Sequence, residues 1–112
     1  MKELVATLNL IGIEPDGKRI DILATIGKPF LVPGHEDIDE WACAVFLEPL
    51  YKTLHNVHSG SSFQALCLAS NLILKLLSDF IDKGGQLVHE DGTQFSLGEC
   101  GFGVQTNTQQ SA

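Results

Sequence analysis

The feature that most constrains this chain is one unbroken helical pattern over residues 61–85. Phe63, Ala65, Leu66, Ala69, Leu72, Ile73, Leu76, Leu77, Phe80 and Ile81 recur with the period of a helix, not of a strand. Both ends carry stop signals. The Ser61 hydroxyl can accept a backbone N–H of the first turn, and Gln64 three residues later predicts a reciprocal capping box. Lys83 places positive charge at the carbonyl end of the dipole, and Gly84 or Gly85 can take the left-handed conformation that closes a helix. With Cys67 and Leu74 the apolar positions cover roughly 220° of the wheel, well beyond the ~100° stripe of an ordinary surface helix. Such a helix needs cover on its flanks as well as its base, from curled strands and loops or from a second subunit. Lys75, Asp79 and Asp82 interrupt the run of about twenty apolar residues that a membrane span requires.

The remainder reads as strand and turn. Residues 3–13 alternate, with Leu4, Ala6, Leu8 and Leu10 on one face, and residues 18–26 alternate again with Ile20, Ile22, Ala24 and Ile26 inward. Glu14-Pro15-Asp16-Gly17 between them is turn chemistry, so the two form an antiparallel hairpin. Gly27-Lys28-Pro29 breaks the second strand, which can resume as an edge at Phe30-Leu31-Val32. A strand is expected at 41–47, a less regular one at 50–57, and two short ones at 86–90 and 93–97 around Asp91-Gly92. A two-residue turn there pairs Val88 with Phe95 on the core face and His89 with Gln94 on the other. The order β-β-β-β-α-β-β, with short antiparallel connections, predicts an α+β two-layer sandwich: one antiparallel sheet on one long helix. Residues 1–105 form a single domain, and the polar residues 106–112 make a loose tail.

Fourteen acidic residues against seven basic ones give a net charge of −7, which argues against nucleic acid and favours a basic partner. No apolar leader follows Met1, and Cys43, Cys67 and Cys100 show no paired spacing, so reduced thiols and a cytoplasmic location are expected. His55 and His58 are three apart, which on a strand points them to opposite faces, and His35 and His89 are remote in sequence; no metal site is expected. Glu36-Asp37-Ile38-Asp39-Glu40 lacks the ligand spacing and central glycine of a calcium loop. Gly98-Glu99-Cys100-Gly101-Phe102-Gly103 has no following helix to make a nucleophile elbow or a phosphate loop. No catalytic residue and no cofactor are therefore expected. The carboxylates of Glu36, Asp37, Asp39 and Glu40, followed at once by Trp41, are the candidate partner-binding site; the ordinary alternative is a solvated loop entering a core tryptophan.

Trp41-x-Cys43 on a strand, then Gly60-x-x-Phe63-Gln64-Ala65-Leu66-x-Leu68-Ala69 opening a long helix, then a short hairpin and Gly101-Phe102, resembles a family of small bacterial α+β proteins over roughly residues 5–102. That family implies a bacterial source and brings no activity or cofactor. In size, charge and lack of a catalytic signature the chain is also similar to small acidic immunity proteins that neutralise toxins. The function expected is thus a non-catalytic binding protein that caps a basic, nuclease-like toxin domain. The alternatives are a subunit of a cytosolic assembly and a small-molecule-binding protein. A homodimer, through the edge at Phe30-Leu31-Val32 or the wide apolar arc of the helix, is a further expectation.

Overall fold

The computed structural model describes residues 3–34 and 39–101. These form an α+β fold in which antiparallel strands pack on a single helix. Strand β1 (Leu4–Ile13) and strand β2 (Arg19–Gly27) make the long hairpin. Leu8 lies opposite Ala24 and Leu10 opposite Ile22, so the even-numbered residues of both strands share the core face, as the alternation requires. The strands β3 (Phe30–Leu31), β4 (Trp41–Cys43), β5 (Val45–Glu48) and β6 (Val57–Ser59) follow, then helix α1 (Ser62–Asp82) and strand β7 (Gln86–Val88).

The strands build two sheets. One has the order β5-β2-β1-β7, the other β3-β4-β6. The strand expected over residues 41–47 is divided at Ala44, and its halves serve different sheets: β4 pairs with β3 and β6, while β5 pairs with β2. No strand forms over most of 50–57. The cis peptide Glu48-Pro49 ends β5, and Tyr51 N–H donates back to the Leu47 carbonyl at 2.8 Å. Leu50, Tyr51 and Leu54 then pack against the core with a spacing that does not alternate.

Helix α1 runs unbroken through the whole predicted span. Ala65, Ala69, Ile73 and Leu77, spaced four apart, form its buried stripe against a core of Leu10, Ile22, Ala24, Cys43, Val45, Leu47, Leu87 and Phe95. Leu66, Leu72, Leu74, Leu76 and Phe80 are half-buried on the flanks of that stripe, which accounts for most of the wide apolar arc. Phe63 and Leu68 remain exposed, at 75% and 41%. By length and composition alone the helix also matches a membrane span; in this fold its central stripe is spent on the two sheets.

The helix ends differ in detail from expectation. Ser61 Oγ accepts the Gln64 N–H at 3.1 Å, but the Gln64 side chain does not return to the cap. Its Oε1 accepts from Ser59 Oγ at 2.8 Å instead, which ties the first turn to β6. At the other end Gly84 N–H donates to the Ile81 carbonyl and Gly85 N–H to the Phe80 carbonyl, with Gly84 at φ +99°: a Schellman motif. The Phe80 ring edge lies over this closure. A Cβ on Gly85 would stand 2.4 Å from Phe80 Cε2, and one on Gly12 of β1 would stand 3.1 Å from Phe80 Cζ.

The two Asp-Gly loops share one device. In each, Gly N–H donates to the carbonyl three residues back, the Asp Oδ1 accepts the N–H two residues on at 2.9 Å, and the glycine is left-handed (Gly17 φ +92°, Gly92 φ +91°). These are three-residue loops with a bulged glycine. For the second hairpin this corrects the expected register by one residue. Val88 bridges Gln94, His89 N–H donates to the Thr93 carbonyl, and Leu87 rather than Val88 joins Phe95 in the core. The strand expected over 93–97 is reduced to that bridge, and the chain turns into a 3-10 helix at Leu97–Cys100.

Candidate functional site

Of the acidic-aromatic candidates, Glu36 and Asp37 lie outside the described residues, as do His35 and Phe102. Asp39, Glu40 and Trp41 lie where the chain enters the small sheet. Val32 N–H donates to the Glu40 carbonyl at 2.7 Å, and Leu31 pairs with Trp41, so β3 and β4 close the base of the loop that carries the carboxylates. Asp39 is exposed. Trp41 shares its face of β4 with buried Cys43 and is half-buried against the core.

The small sheet adds residues that the sequence reading did not assign to this site. His58 of β6 lies opposite Ala42, and its Nδ1 is 2.7 Å from Glu40 Oε2, so the fourth carboxylate of the run is held across the sheet. Phe30 lies on the other side of Ala42, and Phe30 and Leu31 are exposed at 41% and 51% on the edge strand β3. An open depression of about 460 Å³ bounded by Glu3, Gly27, Lys28, Pro29, Phe30 and Ala44 adjoins them. The expected edge at Phe30 and Leu31 is thus a sheet edge, beside the acidic residues. The signal for the apolar part of the face was present in Phe30-Leu31-Val32, but only the long-range pairing through β4 joins it to Asp39, Glu40 and His58. By the register, Phe30, Ala42 and His58 share one face of the small sheet, where His58 holds Glu40, whereas Leu31 and Trp41 share the opposite face with buried Cys43; the exposed edge strand thus offers apolar surface beside the Glu40 carboxylate, a combination suited to basic side chains with aliphatic stems.

The other candidates are placed apart. His55 is exposed outside any strand, while His58 is engaged by Glu40. His89 follows β7 of the other sheet; its Nε2 is 3.0 Å from Glu99 Oε1 and its ring meets Phe95 edge-on at 5.5 Å. Glu99 Oε2 also accepts the Ser96 N–H at 3.0 Å, and that bond first, with His89 second, holds its carboxyl below the usual range. Asp91 is lowered in the same direction by the Thr93 hydroxyl and N–H. Cys43 is buried, its thiol 3.2 Å from the Gly27 carbonyl and its pKa pushed up by burial. Cys100 is exposed, and all three cysteines are free thiols. Among the described residues no three His, Cys, Asp or Glu side chains gather as a metal site. No family model matches the chain, and no curated protein or solved structure gives a significant match.

Proposed function

We propose that this chain is a non-catalytic binding protein, an immunity protein that caps a basic, nuclease-like toxin domain in the bacterial cytoplasm. One observation carries the reading: Asp39 and Glu40 lead into half-buried Trp41 on the small sheet whose edge strand exposes Phe30 and Leu31. A nuclease holds phosphates with Lys and Arg, and an inhibitor can offer carboxylates to the same groups. The net charge of −7 would speed encounter with such a surface, and the aromatic and apolar residues would slow dissociation. Glu40 meets its partner already fixed by His58, so less side-chain freedom is lost on binding than for a free carboxylate.

The test is co-expression with a toxin domain encoded beside the chain, scored by survival and by recovery of the complex. The expected result is protection that weakens when Glu36, Asp37, Asp39 and Glu40 are replaced by their amides. Absence of both protection and a captured basic partner would reject the role. Protection that survives the four replacements would keep the role and reject the site.

A further inference from the structure

Gly27, Lys28 and Pro29 carry the chain from β2 of the larger sheet to β3 at the edge of the smaller one. The crossing is pinned from both sides. Gly27 N–H donates to the Ala44 carbonyl at 2.9 Å, and Lys28 N–H donates to the Glu3 carbonyl at 2.9 Å. Ala44 is itself the residue at which the chain passes from β4 to β5. Gly27 and Ala44 are buried and carry no more than a methyl group, so the crossing leaves the depression of about 460 Å³ that they line. Pro29 and exposed Phe30 supply the rest of its apolar lining. Its charged lining is Glu3 and Lys28, whose side chains pair at 3.4 Å with most of their surface in solvent. An ion pair so exposed contributes little, and either member exchanges its partner at small cost.

This is the lining that a long cationic side chain needs: an apolar wall for the stem and a carboxylate for the head. Arginine fits it better than lysine. Its planar guanidinium stacks on an aromatic face and forks onto a carboxylate, whereas an ammonium is a point charge that holds its water. The net charge of −7 sets the sign of the visitor, because an acidic side chain would reach Lys28 only against Glu3 and the field of the whole chain. Phe30 also belongs to the face on which His58 holds Glu40, so one ring joins the depression to the proposed partner-binding face. We propose that the depression is a socket for an arginine of the basic partner: the guanidinium takes the Glu3 carboxylate and lies on the Phe30 ring, and Lys28 is released to solvent. The socket rests on the binding role proposed above and extends it to named side chains just before β1 and at the start of β3.

The test titrates the isotope-labelled full chain with hexa-arginine and with hexa-lysine, followed by NMR. Hexa-arginine should shift the amide signals of Gly27, Phe30 and Ala44 and bind tighter than hexa-lysine by about threefold or more. Glu3→Gln and Phe30→Ala should each weaken hexa-arginine binding by about threefold or more. Lys28→Ala frees Glu3 of its competitor and should bind at least as tightly as the wild type. Glu3→Gln keeps the size of an exposed side chain, so the test stays in force if Phe30→Ala does not fold. Shifts spread over the acidic surface with Gly27, Phe30 and Ala44 unmoved overturn the proposal. So does wild-type affinity in Glu3→Gln and Phe30→Ala. The socket and the role fail separately. Co-expression without protection rejects the role, and the peptide titration still decides the socket. Protection and toxin binding that are unchanged when Glu3→Gln and Phe30→Ala are combined overturn the socket and leave the role standing.

Discussion

Gly85→Ala is expected to destabilise the protein through one contact, the ring of Phe80. The new Cβ would lie 2.4 Å from Phe80 Cε2 and 2.7 Å from Cδ2 and Cζ, where ordinary contact begins at 3.4 Å. The ring must therefore retreat by about 1 Å or the helix closure must open, a change of the kind that costs about 1–3 kcal/mol in packed sites. The ring edge also rests against Gly12 and beside Ile22, where a Cβ on Gly12 would stand 2.7 Å from Ile22 Cδ1, so the neighbourhood holds little slack. Phe80→Leu alone should cost about 1 kcal/mol, since the side chain is half-buried and the change is apolar. In the Phe80→Leu background, however, Gly85→Ala should cost only about 0.5 kcal/mol, leaving a coupling energy of about 1 kcal/mol or more. Urea unfolding of the four proteins measures it. An equal cost for Gly85→Ala in both backgrounds would refute the reasoning and place the penalty in the backbone of the Schellman motif instead.

Four further expectations follow from the same contacts. Leu77→Ala, in the fully buried stripe of α1, should cost about 2–5 kcal/mol in urea unfolding. Ser61→Ala should cost about 1 kcal/mol, because it removes the acceptor of the Gln64 N–H. Asp91 and Glu99 are held below the usual carboxylate range, so their contribution to stability is complete above about pH 4–5 and is lost as pH falls through their folded values. NMR titration should find both carboxyls ionised where ordinary ones are protonated, and Asp91→Asn should flatten the acid limb of stability against pH. With a thiol reagent, Cys43 should stay unreacted in the folded protein, since it is buried and its pKa is raised, while exposed Cys100 reacts.

The helix and the first hairpin were legible because their signals are local. A serine cap, a 3.6 period and two terminal glycines define α1, and alternation around Pro15-Asp16-Gly17 defines the β1–β2 pair. The second hairpin was misread by one residue because Asp-Gly serves both two-residue and three-residue loops. What decides between them is the pairing of Leu87 with Phe95 in the core, which is not local. The division of residues 41–47 left no mark either: Trp41, Cys43, Val45 and Leu47 alternate without a break, yet Ala44 ends one sheet's strand and precedes the other's. The site was legible as an acidic run before a tryptophan. Its remaining members, His58, Phe30 and Leu31, come from strands on either side of β4, and only the strand pairing brings them there.

The proposed binding of a basic toxin domain to the small sheet is tested most directly by titrating a purified toxin domain, if one is encoded beside the chain, and following the fluorescence of Trp41, the only tryptophan in the chain. The wild type should bind with a change in that signal. Trp41→Phe, read by calorimetry, should bind more weakly, and Asp39→Asn with Glu40→Gln should mainly slow association and reduce its dependence on salt. Truncation at an aromatic anchor typically costs about 2 kcal/mol or more, a loss of about thirtyfold in affinity. Binding that leaves the Trp41 signal unmoved and is equally tight and equally salt-dependent in all three proteins would contradict the assignment of the partner to this face.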